Sequence, residues 1–164
     1  HLVGESAYWA RIEQLQTELA AEGVFQDDRK QDLPPFPNHL GVVTAAESDA
    51  EQDVIESVQD RYPDVDITLY DTAVQGTGAP AALAEAVNKA DAATTDILVV
   101  TRGGGSDTDL RAFNEEPIVR AVADCETPVV SAIGHDADDP LVDRVADVRA
   151  KTPTAAGEVA GRAD

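Results

Sequence analysis

The sequence has no methionine, one cysteine, three lysines and seven aromatic residues in 164 positions. Its longest uninterrupted apolar stretches are four residues, such as Ile97 to Val100, far short of the ~20 that cross a bilayer, which excludes a membrane-spanning helix. A single Cys125 excludes an intrachain disulfide, a zinc ribbon and a CxxC motif, and reads as a small buried hydrophobe. So few aromatics make no stacking platform of the kind that binds single strands, and Trp9, Phe25 and Phe36 are read as packing for an N-terminal arm. GxxxxGK[ST], HExxH and GxSxG are absent, which removes most support for kinases, P-loop ATPases and α/β-hydrolases. No basic segment followed by an apolar one opens the chain, and His1 in place of an initiator Met points to a fragment; cytoplasmic location is the default.

What the chain has in excess is acid. Thirty-two Asp and Glu against twelve Lys and Arg give a formal charge of -20. Aspartate predominates, lysine is depleted, and this composition resembles that of proteins from organisms with molar intracellular salt, with a halophilic archaeon as the expected source. At 1 M salt the Debye length is ~3 Å, so long-range repulsion of nucleic acid is screened and the net charge does not decide the partner. Hydrophobic residues at 43% suffice for a packed core, and the length suits one domain with an appendage.

Apolar residues at helical spacing from Ser6 to Glu22 predict an amphipathic helix ending at Gly23. Residues 25–38 carry Pro34, Pro35 and Pro37 and read as a linker, so the expected division is 1–38, helix and Pro-rich linker, and 39–164, an α/β domain. Strand-type runs at 39–44, 65–71, 96–102 and 128–134 alternate with helical patterns at 49–62, 79–92 and 115–124, and residues 142–148 are a further helix candidate, with Asp49 a candidate N-cap for the first. This alternation predicts an α/β fold: three layers, with a mainly parallel central sheet of about four strands flanked by helices. Ligands of such sheets sit outside the carboxyl ends of the strands.

Two of those ends carry the chemistry. The third strand runs into Arg102-Gly103-Gly104-Gly105-Ser106-Asp107, where consecutive glycines free backbone N–H groups to form an anion-binding nest ahead of a helix expected to start near Ser106 or Asp107. Arg102 adds a planar fork suited to phosphate; the competing reading is a tight turn with a surface arginine. The fourth strand ends in Gly134-His135-Asp136-Ala137-Asp138-Asp139, which puts a proton carrier, His135, at the same edge. Asp138, three residues on, is a candidate to orient the imidazole or position a water, whereas Asp136 and Asp139, candidate ligands of a hard cation, read as acidic surface. Asp53, behind the first strand, is not separable by spacing from Asp49, Glu47 or Glu51, and a solvated helix start accounts for all four. Gln75 to Gly78 reads as a flexible turn. A cationic fork, a glycine nest, a histidine and carboxylates at one edge suit a phosphate or phosphodiester, and leave cleavage and binding undistinguished.

Read together, TRGGGSDTDLRAFNEE (101–116), SAIGHDAD (131–138) and RAKTPTAAGE (149–158) resemble the large subunit of exonuclease VII. The likeness extends to LGVVT (40–44), RYP (61–63), LYDTAVQGTGA (69–79) and AAEGVFQDDRKQDLPPFP (20–37), and points to that family's central nuclease domain. The resemblance implies hydrolysis of single-stranded DNA to oligonucleotides by an exodeoxyribonuclease working with a helical small subunit. It implies functional roles for Asp53, Arg102, His135 and Asp138, beside which the Gly-rich loop makes Gly103, Gly104, Gly105 and Ser106 the expected phosphate-binding residues. Metal use stays open: Asp53, Asp136 and Asp138 either converge on Mg2+ or serve His135 and the solvent with no cofactor.

The sequence departs from the family pattern at 45–53, where SPTGAAxRD has become AAESDAEQD with Gln52 in place of Arg, and at 135–138, where HETD has become HDAD. The family's OB-fold and its coiled coil that recruits small subunits have no counterpart here, so the chain is either an excised domain or a reduced homologue, with weak or no activity expected in isolation. Two other function classes fit the same residues: a catalytically silent nucleotide- or nucleic-acid-binding module, and an enzyme acting on a small phosphorylated metabolite.

Overall fold

The computed structural model describes residues 2–93, 95–102, 110–133, 140–150 and 152–160, with side chains from Ser6 onward. Helix α1 (Leu2–Glu22) precedes β1 (His39–Thr44), α2 (Asp49–Arg61), β2 (Asp66–Asp71), α3 (Ala79–Ala92) and β3 (Ile97–Thr101). Then come α4 (Glu116–Ala123), β4 (Val129–Ala132), α5 (Leu141–Val145), β5 (Val148–Arg149) and α6 (Pro153–Ala160). Every pairing is parallel and the sheet order is β2-β1-β3-β4-β5. One row of the sheet reads Leu69, Val42, Val99, Val130, Val148. All five belong to one apolar cluster with Val54 and Val58 of α2 and Ala156 and Ala160 of α6. The opposite face buries Leu98, Val100 and Val129 against α1, α3, α4 and α5. Burial on both faces is why β1, β3 and β4 read as near-continuous apolar runs rather than alternating ones.

Four differences from the sequence-based expectations have local causes. Tyr8, Ile12, Leu15 and Leu19 of α1 join the larger core, so the amphipathic face of this helix is spent on the sheet layer. Residues 142–148 do not form one helix: α5 stops at Val145, and Val148–Arg149 pairs with Val130–Ser131 as a fifth strand. The N-cap of α2 is Ser48 and not Asp49: its side chain accepts from Glu51 N at 3.2 Å, while Glu51 Oε1 accepts from Glu47 N at 2.5 Å, one residue before the cap. Phe36 is 73% exposed and does not serve as packing; Trp9, 53% exposed, packs only edge-on against Tyr8 with ring centroids 4.8 Å apart, and Phe25 packs on the core, with the Arg144 guanidinium 4.5 Å from its ring centroid.

The amino ends of the strands are fastened by side chains. Asp96 Oδ2 accepts from Asn38 N at 2.7 Å and His39 N at 3.1 Å. Asp147 accepts from Gln31 N and Val129 N, both at 2.7 Å, and Asp91 Oδ1 accepts from Thr127 N at 2.9 Å and Glu126 N at 3.1 Å. Lys30 Nζ donates to Arg144 O at 2.6 Å and Ala146 O at 2.8 Å, closing the end of α5; burial pushes its ammonium below the usual lysine range. Gly157 lets α6 lie directly on α2: a Cβ there would stand 2.7 Å from Ser57 Cβ.

Candidate active site at the carboxyl edge

In this strand order the chain leaves β1 toward β2 on one side and returns through β3 on the other, so a crevice opens outside the carboxyl ends of β1 and β3. Arg102 stands there, immediately after β3. Its N–H donates to Ala132 O at 3.2 Å, the carbonyl that also accepts from Thr101 Oγ1 at 2.8 Å. These bonds continue the β3–β4 ladder one residue beyond the strand. Strand alternation then aligns Arg102 with Leu98 and Val100, on the face covered by α4 and α5. The residue is only 8% exposed. Because an arginine keeps its charge wherever it is put, holding it here commits the fold to a permanent cation at the switch point.

Asp53 occupies the second turn of α2, on the other face of the sheet. It is half-buried in a cleft of about 410 Å³ between α2 and α6, lined also by Glu56, Ser57, Asp60, Arg61, Thr154 and Glu158. No hydrogen bond or ion pair links Asp53 to Arg102 among the described residues. With four carboxylates against one guanidinium, itself 3.7 Å from Glu158, this cleft is no seat for a phosphate. Among the described residues, no three His, Cys, Asp or Glu side chains gather to hold a metal ion. Gly103, Gly104, Gly105, Ser106, His135, Asp136 and Asp138 lie outside the described residues, as does the helix start expected near Ser106.

The described flanks of those two segments meet. Asn114, in the 3-10 turn Arg111–Asn114, accepts from Leu141 N through Oδ1 at 2.8 Å and donates through Nδ2 to Tyr8 Oη at 3.2 Å; that hydroxyl donates to Arg111 O at 2.9 Å. One buried amide therefore joins the return from the Gly-rich segment to the return from the histidine segment. Burial is also the main reason the Tyr8 phenol is pushed above its usual range. A second buried group lies on the same face. The Asp143 carboxylate, 1% exposed, accepts from Ser131 Oγ at 2.7 Å and pairs with Arg149 Nε at 2.9 Å. Neither Asn114 nor Asp143 stands out in the sequence, because their partners are 27 and 12 residues away and no spacing rule reaches that far.

The Gln75–Gly78 segment is a turn, with Gly76 at φ +97 and Ala79 N donating to Gly76 O at 3.2 Å ahead of α3. Cys125 is buried at the opposite edge, beside a 310 Å³ recess that includes Lys30 and Asp147, and burial pushes its thiol up to about 12. That thiol is therefore inert at neutral pH.

A sequence model described as "Exonuclease VII, large subunit" matches residues 24–164. The chain belongs to the exonuclease VII large-subunit family. It is 50% identical over 157 residues to the "Exodeoxyribonuclease 7 large subunit" of Streptomyces griseus, covering 95% of this chain and 39% of that protein. It is 48% identical over 157 residues to the like-named protein of Corynebacterium glutamicum, covering 95% and 38%, and 46% over 159 residues to that of Neisseria meningitidis, covering 96% and 35%. The chain thus spans well under half the length of the curated relatives it matches. No helix among the described residues is long and apolar enough to cross a membrane.

Proposed function

We propose that this chain is the nuclease domain of an exodeoxyribonuclease and hydrolyses phosphodiester bonds of single-stranded DNA at the carboxyl edge of its sheet. The supporting observation is the buried Arg102 at the β1/β3 switch point, followed directly by three glycines. A water attacks the phosphorus in line, and the P–O bond to the departing nucleotide oxygen, which leaves as a hydroxyl, breaks. His135 moves the proton and Asp138 orients the imidazole. Arg102 and the amides of Gly103, Gly104 and Gly105, with Ser106, stabilise the charge on the phosphoryl oxygens. Asp53 positions the water or a cation from the α2 side; Asp136 joins it only if Mg2+ takes part. Catalysis belongs to residues 39–164, with α1 as a supporting layer. Like the rest of the family assembly, a small subunit and a cytoplasmic setting belong to this proposal.

The test is hydrolysis of end-labelled single-stranded DNA at molar salt, with and without chelator, by the chain and by its His135→Ala variant. The proposal expects slow cleavage by the chain and none by the variant, and the chelator lane decides the metal. Equal cleavage by both would remove His135 from the mechanism. DNA binding without product in any lane would leave a silent binding module.

A further inference from the structure

Tyr8 stands on α1, outside the part of the chain that carries the chemistry, yet its hydroxyl is buried against the turn between the two site segments. That hydroxyl has one hydrogen, which goes to Arg111 O at 2.9 Å, so toward Asn114 the oxygen can only accept. Asn114 must therefore turn Nδ2 to Tyr8, at 3.2 Å, which leaves Oδ1 for Leu141 N at 2.8 Å. Turned over, the same amide would set a donor against the Leu141 N–H. The Tyr8 hydroxyl thus decides which way a buried amide faces. Arg11, on the same helix, pairs with Glu115 through both terminal guanidinium nitrogens, so α1 grips residues 111–115 at two points.

Resting on the nuclease reading above, we propose that Tyr8 is a positioning residue for catalysis: through Asn114, its hydroxyl fixes where the histidine segment 134–139 is anchored relative to the Gly-rich segment 103–109. Each segment starts at the end of a strand, β3 or β4, and those two ends are locked together by the pairing of Thr101 with Ala132. Their far ends, Leu110 and Pro140, lie outside the sheet. The bond from Leu141 N to Asn114 supplies the tie there. Short segments pass a displacement of their ends on to the groups they carry, and a misplacement of about 1 Å costs on the order of a hundredfold in rate. Tyr8 touches neither the phosphate nor the moving proton and acts only through Asn114. On this account α1 is part of the catalytic scaffold as well as a layer over the core.

The test compares the chain with Tyr8→Phe, which keeps the buried ring and removes only the hydroxyl, whereas Tyr8→Ala would empty part of the core. Two readouts are taken on folded protein at molar salt. One is kcat and KM for single-stranded DNA; the other is the imidazole resonances of His135 by NMR without DNA, with His39 at the start of β1 as internal control. We expect the His135 resonances to shift and those of His39 to stay. We also expect kcat to fall about fivefold with KM within about twofold, because phosphate binding at Arg102 is untouched. Adding Tyr8→Phe to Asn114→Ala should cost nothing further, since one chain of bonds carries both effects. A merely structural hydroxyl would lower the melting transition and leave kcat per folded molecule unchanged. That result, unmoved His135 resonances, or additive losses in the double variant would overturn the proposal. A folded parent chain that does not cleave overturns the nuclease reading, and unmoved His135 resonances in that case overturn the Tyr8 link as well.

Discussion

The two edges of one sheet use the same residue types for different ends. At the amino edge, Asp91, Asp96 and Asp147 each accept two backbone N–H groups and fasten the strand starts. At the carboxyl edge the buried charges among the described residues are Arg102 and Asp143, the latter paired with the exposed Arg149. The lesson is that in a chain with 20 aspartates residue type does not separate a structural carboxylate from a candidate functional one: even at the carboxyl edge, Asp71 accepts a backbone N–H, from Ala46 at 2.8 Å. Parallel sheets set the two edges apart because every strand of the sheet presents the same end to the same side.

The comparison is broken or sharpened by substitutions at each edge. The largest expected effect is at Arg102: Arg102→Lys should lower cleavage by about 100-fold or more, since a point charge does not reproduce a fork aimed at developing phosphoryl charge. Next comes Asp147→Ala, which orphans the amides of Gln31 and Val129; denaturant titration should show about 3 kcal/mol less stability, with the folded molecules cleaving normally. Asn114→Ala sits between the two classes. The loss of the acceptor for Leu141 N should cost about 2 kcal/mol and also slow cleavage, because both site segments return through that contact.

The smallest effect concerns Cys125. Its folded-state thiol titrates near 12 against an ordinary value of 9.0, so the unfolded chain loses this proton first as pH rises. Its contribution to stability is full below about 9 and lost between about 9 and 12. The stability difference between the chain and Cys125→Ala should therefore drift in favour of the variant as the pH is raised from 9, and alkylation by iodoacetamide at pH 8 should require unfolding.

The strands at 39–44, 66–71, 97–101 and 129–132 and the helices α1 to α4 were legible in the sequence because each is long enough to show its period. The fifth strand was not: two residues at a sheet edge carry no periodicity, and Val148–Arg149 continues a helical-looking run. Ser48 is not readable as the cap because Asp49 beside it is an equally good capping residue; only the Glu51 N bond to the Ser48 side chain decides between them. Of the site, Arg102 was readable as a permanent charge at a strand end before a triglycine. Asp53 is one of four carboxylates at its helix start, and only resemblance picks it out. Asn114, Asp143 and Arg149 depend on contacts between distant segments, which exist only once the chain has folded.

The central claim, chemistry at one edge and fastening at the other, is tested most directly by measuring single-stranded DNA cleavage per folded molecule for Arg102→Lys and Asp147→Ala side by side, with the folded fraction of each read from its unfolding curve. The account predicts a fall of about 100-fold for Arg102→Lys and a rate within about twofold of the parent for Asp147→Ala. Near-normal cleavage by Arg102→Lys, or an equal collapse in both variants, would contradict it.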